Sequence, residues 1–192
     1  MAASSANQVR DIAYVAVFAA LIIVFAFVSL PTASGVPIVL QNAVIILAGL
    51  VLGGRRGFLA VLLFLILGLI GLPVLAGGRN VLTALAGPAA GYLIGYPISA
   101  AVAGSFAAKA PRAKVGQIVT LSVGAILALF VQYGCGVCGL ILRAHMDAKA
   151  AIVAQSPFII PDLIKVIVMV IIAVALINAL PGLRTSRSTS AH

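Results

Sequence analysis

Long apolar runs separated by short polar or basic connections dominate this chain. A hydrocarbon core about 30 Å thick is crossed by roughly 20 apolar residues of helix. The spacing of the runs therefore predicts six transmembrane helices. They cover residues 11–30, 39–53, 58–76, 81–108, 115–142 and 161–180.

Composition supports a membrane protein. Of the 192 residues, 64% are hydrophobic and 8% are charged, and the mean hydropathy is +1.28. Soluble domains carry about 25% charged residues, so a soluble fold is excluded. We expect a cytoplasmic tail at 1–10, a six-helix transmembrane domain at 11–180 and a second cytoplasmic tail at 181–192. We expect no cleaved signal peptide, because the first run is long and further spans follow it.

The basic residues predict the orientation of the helices. The net charge of +9 is scattered between apolar runs, a pattern that indicates membrane topology and no nucleic-acid partner. Lys and Arg are enriched on cytoplasmic sides. Most basic residues fall on the side that holds both termini, whereas the opposite side holds Arg79, Arg143 and Lys149. Both termini are therefore predicted to be cytoplasmic.

With this topology, unusual polar residues gather at the outer face. Gln41 and Asn42 begin the second span, and Arg79 follows Gly77 and Gly78 between the third and fourth spans. A charge between membrane-length segments is costly unless it meets water, protein or a ligand. Arginine offers a fork of donors, and glycine lets backbone approach a ligand closely. We expect an outward-opening solute site, to which Tyr92 and Tyr133 also belong.

Asp162 and Lys165 strengthen this prediction. Spaced three apart at the expected start of the sixth helix, they share one helix face and can pair. A purely structural role stays open for each of these polar residues. The pair can be an interfacial ion pair, Arg79 can reach the headgroups, the amides can cap a helix, and the tyrosines can anchor the interface.

Catalysis, metal binding and cofactor binding are not expected. There is no phosphate-binding GxxxxGK[ST] motif and no pair of nucleophile and base inside a run. Cys135 and Cys138 form a CxxC, but zinc would need further ligands nearby. Helix packing is the expected role of these two cysteines. The chain is therefore predicted not to be an enzyme.

Several ordered motifs resemble the BioY family, the biotin-binding S components of energy-coupling factor (ECF) vitamin transporters. The resemblance covers about residues 12–180. Its motifs are VPIVLQN ending at Asn42, AGLVLGGRRG ending at Gly57, GLIGLPVLAGGR ending at Arg79, GPAAGY ending at Tyr92, and PDLIK ending at Lys165.

The resemblance implies a biotin pocket near the extracellular surface of a six-helix S-component bundle in the bacterial cytoplasmic membrane. It carries biotin binding onto Arg79, Asp162 and Lys165, and also onto Gln41 and Asn42. It further implies an ECF transmembrane coupling protein and two ATPase subunits as partners. A small-residue stripe on the first helix would dock on the coupling protein; its members here are Ala13, Ala16 and Ala20.

Two alternatives stay open at this point. The chain could be an S component for another vitamin, or a self-sufficient oligomeric facilitator or channel.

Overall fold

The computed structural model describes residues 2–30 and 38–180, which form a helical bundle. Its helices are α1 Ala2–Ala26, α2 Gln41–Leu52, α3 Gly54–Leu69, α4 Val81–Ala86, α5 Ala90–Lys109, α6 Lys114–Ala144, α7 Ala148–Val153 and α8 Ser156–Ala179. Between α1 and α2, strands β1 (Ser29–Leu30) and β2 (Ile38–Val39) pair antiparallel, with Ser29 opposite Val39.

The predicted all-helical membrane class is confirmed. Within the described residues, four stretches are long and apolar enough to cross a bilayer, and Gln41–Leu52 is a shorter apolar helix. Large apolar side chains cover the outside of the bundle, for example Phe130 at 66% exposure and Ile171 at 64%. Such a surface is stable in lipid and unstable in water. The number of spans and the side of the termini remain predictions.

Helix α2 lies at the centre of the bundle. All of its residues except Asn42 are buried, because α1, α3, α5, α6 and α8 pack around it. Its neighbours approach closely where side chains are small: the backbone of α5 at Ala100 leaves no room for a Cβ at Gly49. The N-terminus of α2 is thereby held at the centre of the bundle, beside α6 and α8.

Two features of the helices lie beside proline: the interruption of the fourth span that Gly87 and Pro88 indicate in the sequence is confirmed, and the predicted start of the sixth helix was wrong. The run 81–108 is divided at 87–89 into α4 and α5, since glycine and proline both disfavour a continuous helix there. Helix α8 begins at Ser156 and continues through Pro161. Pro157 lies in the first turn, where backbone N–H groups have no partner within the helix, so its missing N–H costs nothing. Pro161 lies one turn later, where its missing N–H removes one intrahelical hydrogen bond.

Two further boundaries differ from the prediction. Residues 2–10, predicted as a tail, form the first turns of α1. The third helix ends at Leu69, so residues 70–80, partly predicted as helix, form a loop. The predicted tail at 181–192 lies outside the described residues.

Helix α1 has one face against the bundle and one face exposed. Phe18 and Ile22 belong to the core, and Arg56 of α3, itself buried, pairs with Asp11 at 2.6 Å. The stripe predicted to dock on a coupling protein lies on the opposite, exposed face of the helix; it comprises Ala13, Ala16 and Ala20.

Candidate solute-binding site

A cavity of about 630 Å³ lies between α2, α5, α6, α8 and the loop at 70–80. Its volume is in the range of sites that enclose a small organic molecule. All the side chains predicted from sequence to form a solute site line this cavity. They are Gln41, Asn42, Arg79, Tyr92, Tyr133, Asp162 and Lys165.

Helix geometry orders the lining residues by depth. Gln155, the N-cap residue of α8, and Phe158, Asp162 and Lys165 on α8 form one row along the cavity. At 1.5 Å of rise per residue, the ten residues from Gln155 to Lys165 extend over about 15 Å. Gln155 therefore lies at one end of this row and Lys165 at the other. Tyr92, which bonds Gln155, lies one turn after the exposed lining residue Pro88, so the end at Gln155 is the open one. We call these two ends the mouth and the floor.

The floor is a connected cluster of charged and polar groups. Asp162 Oδ2 accepts a hydrogen bond from the Tyr133 hydroxyl at 2.7 Å, and Oδ1 accepts one from Asn42 Nδ2 at 3.3 Å. Lys165 pairs with Asp162 and donates to Asn42 Oδ1 and to the Val39 carbonyl, both at 2.8 Å.

Burial makes this floor cluster energetically sensitive. Asp162 is 4% exposed and Lys165 is 9% exposed. A buried ion pair is tolerated only with good geometry and further hydrogen bonds, and losing one partner leaves a costly uncompensated charge. The bonds from Asn42, Tyr133 and the Val39 carbonyl supply that compensation. Both charges thus lie inside the bundle and not on its surface.

The two amides at the start of α2 make tertiary contacts. Gln41 Nε2 donates to the Val74 carbonyl at 2.9 Å, which attaches the loop at 70–80 to α2. Asn42 joins the floor as described. Leu40 is the N-cap residue and makes no side-chain capping bond. The alternative role of these amides as helix caps is therefore wrong.

Arg79 stands at the mouth, on a tight turn. The Leu75 amide donates to the Arg79 carbonyl at 3.0 Å. Gly77 and Gly78 have φ values of 76° and 70°, which side chains with a Cβ rarely adopt. The Arg79 Nε donates to the Ala76 carbonyl at 3.3 Å, and the side chain is exposed. A cation is thus presented beside the cavity opening.

Between mouth and floor, the wall is largely apolar. Leu93, Leu140, Ala154 and Phe158 line it. In this region the Tyr92 hydroxyl donates a hydrogen bond to Gln155 Oε1 at 2.5 Å.

Sequence reasoning missed several wall residues: Leu93, Tyr96, Leu140, Phe158 and Gln155. Gln155 and Phe158 were missed because the helix was predicted to start at Pro161. With α8 extended to Ser156, their spacing to Asp162 places them on the same face. The spacing of these two residues from Asp162 was the feature of the sequence from which they could have been predicted.

The arrangement suits reversible capture of a small molecule with polar and apolar parts. The described residues hold no cluster of three or more metal-ligating side chains. Cys135 and Cys138 are unpaired thiols on α6, and neither lines the cavity. Fold and site together define a helical multi-pass membrane protein with a deep amphipathic solute-binding cavity.

Comparison with known proteins identifies the family. The BioY family model matches residues 1–182. The biotin transporter BioY of Rhodobacter capsulatus is 41% identical over 175 residues, covering 85% of this chain and 91% of that one. A probable biotin transporter BioY of Pyrococcus horikoshii is 38% identical over 166 residues, covering 86% of this chain and 95% of that one. The chain belongs to the BioY family.

A solved structure shares the fold. It is the S-component for biotin from an ECF-type ABC transporter, with a TM-score of 0.78 and 30% identity. The match covers 90% of this chain and 93% of that one. The predicted S-component-like bundle and the family assignment are thereby confirmed.

Proposed function

We propose that this protein captures biotin for uptake across the membrane, as the substrate-binding subunit of an ECF-type transporter. Membership of the BioY family and the likeness to a biotin S-component support the substrate. The observation that carries the proposal is the cavity itself, with its charged floor, apolar wall and cationic mouth. Biotin has the matching parts: a polar ureido ring, an apolar thioether and tail, and a carboxylate.

The order of these features favours one orientation of biotin. At the floor, Asp162 can accept ureido N–H bonds, while Asn42 or Lys165 can donate to the ureido oxygen. The tail would lie along the apolar wall, and its carboxylate would approach Arg79. Hydrogen bonds to charged groups contribute about 1.5–3 kcal/mol, so the floor would supply much of the specificity.

The exposed face of α1 supports a role for partner subunits. Ala13, Ala16 and Ala20 lie on the surface of the bundle, and small residues let another membrane helix approach closely. We propose that this face docks on an ECF coupling protein, which two ATPase subunits drive. The proposed location is the bacterial cytoplasmic membrane.

Binding of labelled biotin to the purified full-length chain in detergent tests the proposal. We expect saturable binding that unlabelled biotin competes and that riboflavin and thiamine do not. Asp162→Asn should weaken the affinity by about 100-fold, because Lys165 loses its buried partner.

Asp147→Asn is the matched control. Asp147 lies on the surface at the start of α7 and bonds its side chain to the Lys149 amide, outside the cavity. Its variant should bind biotin like the wild type. A folded wild-type chain that binds no biotin would overturn the proposal and leave another vitamin as the solute. Biotin flux through liposomes holding this chain alone would instead favour the self-sufficient facilitator.

A further inference from the structure

Gln155 is a buried polar residue whose side chain is bonded at both ends. It lies in the turn between α7 and α8 and is 5% exposed. Its Oε1 accepts from the Tyr92 hydroxyl at 2.5 Å, and its Nε2 donates to the Ala151 carbonyl of α7 at 3.3 Å. Because its acceptor and its donor point to different elements, the amide has one favoured orientation.

Tyr92 gives this bond a fixed anchor on the bundle. It lies in the first turn of α5, and its ring packs on the backbone of α6 at Gly136, where no Cβ would fit. A ring held between two packed helices has little freedom to move its hydroxyl. The position of the Tyr92 oxygen is therefore set by the α5–α6 contact.

The segment that Gln155 attaches has few other buried residues. We call residues 148–160 the connector; within it, Ala151 and Gln155 are the two buried residues. Ile152 is 61% exposed and Ile160 is 72% exposed. These apolar side chains face outward, so the two buried residues make the connector's contacts with the interior of the bundle, and the bond from Tyr92 to Gln155 is the side-chain hydrogen bond that ties the described connector to α5.

The same connector supplies part of the cavity wall. Ala154 and Phe158 flank Gln155 and line the cavity on the mouth side of Asp162. Any shift of Gln155 away from Tyr92 would move both of them outward. The position of this part of the cavity wall is thus linked to the bond between Tyr92 and Gln155.

We propose that Tyr92 and Gln155 are a positioning pair that holds the connector against the cavity and limits the length of ligand tail that the site accepts. The inference rests on the proposed function, in which the biotin tail lies beside this wall. With the bond intact, free biotin is retained. Biocytin, in which a lysine extends the tail through an amide, is disfavoured.

Three variants of the full-length chain test the pair: Tyr92→Phe, Gln155→Leu and the double variant. Tyr92→Phe removes one hydrogen bond and should release biotin about tenfold faster. Gln155→Leu also removes the bond to the Ala151 carbonyl, so its release of biotin should be at least as fast as that of Tyr92→Phe. Each single variant should also lower the ratio of the affinity for biotin to the affinity for biocytin. The double variant should be no worse than the worse single variant, because both changes break the same bond.

A second measurement needs no ligand. Amide hydrogen exchange of the connector should be faster in all three variants than in the wild type. Tyr14→Phe and Gln117→Leu are the matched controls. Gln117 is buried on α6 and Tyr14 packs on the core from α1, and neither lines the cavity. Both should leave exchange of the connector and the ligand preference unchanged.

Unchanged connector exchange in Tyr92→Phe and Gln155→Leu would overturn the pair. The pair would also be overturned if the effects of the two single variants on biotin release added in the double variant. A preference for biotin over biocytin that stays at the wild-type value in the variants would overturn it as well. Failure of the proposed function is a separate result: the wild type would bind no biotin, while the exchange measurement would still decide whether the bond holds the connector.

Discussion

Arg79 and Asp162 are both charged residues of one cavity, yet their surroundings give them different roles. Asp162 is buried and bonded by Asn42, Tyr133 and Lys165, so it belongs to a rigid polar floor. Arg79 is exposed on a glycine turn. Charge interactions in an exposed setting are weakened by water and salt. We therefore expect Arg79 to contribute less to affinity than Asp162 and to act on the ligand carboxylate.

Arg79→Gln tests this role. The variant should bind biotin about two- to fivefold more weakly, since an exposed ion pair contributes up to about 1 kcal/mol. Biotin methyl ester, which lacks the carboxylate charge, should bind both proteins with equal affinity. Arg143→Gln, which changes another exposed basic residue, is the control and should leave both affinities unchanged. Equal losses for biotin and its ester would contradict a carboxylate contact.

At the scale of elements, α1 has one buried face and one exposed face. One face packs Phe18, Ala19 and Ile22 into the core. The other leaves Ala13, Ala16 and Ala20 exposed. None of these three alanines lines the cavity. If this face docks on a partner as proposed, a change there should alter docking and leave solute binding unchanged.

Ala16→Trp should therefore abolish biotin uptake by cells that supply the coupling protein and ATPases, because the bulky ring prevents close helix approach. Biotin binding to the purified variant should equal that of the wild type. Val123→Trp places the same ring on α6, at a side chain 42% exposed, and should keep uptake. Full uptake by Ala16→Trp would exclude this face as the docking surface.

At the scale of the whole molecule, the cavity opens at the end that holds Arg79 and the start of α8. The charge pattern predicts that this end faces outward, with both termini in the cytoplasm. A protein that captures a solute from outside requires this arrangement. Reversal of the molecule would place the mouth, and the proposed carboxylate contact, inside the cell.

Labelling of single cysteines in intact cells by an impermeant thiol reagent checks the orientation. In a chain with Cys135→Ala and Cys138→Ala, Lys149→Cys should react. Ser4→Cys and Ser186→Cys should react only after the membrane is permeabilised. Reaction of either terminal cysteine in intact cells would contradict cytoplasmic termini.

The sequence by itself determined the class of the protein and most of its candidate site. Apolar runs partition into lipid regardless of how they later pack, so membrane helices could be predicted from hydropathy alone. Polar side chains are costly there, so their rarity marked Asp162, Lys165 and Arg79 as unusual. Ordered motifs added the family, and the family model and relatives confirmed it.

Only the tertiary structure decided which of these groups meet. Asn42 and Asp162 are 120 residues apart in sequence, and no local pattern determines such a contact. The early start of α8 and the bond from Tyr92 to Gln155 were decided in the same way. Each depends on helices packing across the bundle, where close approach and buried hydrogen bonds outweigh local preference.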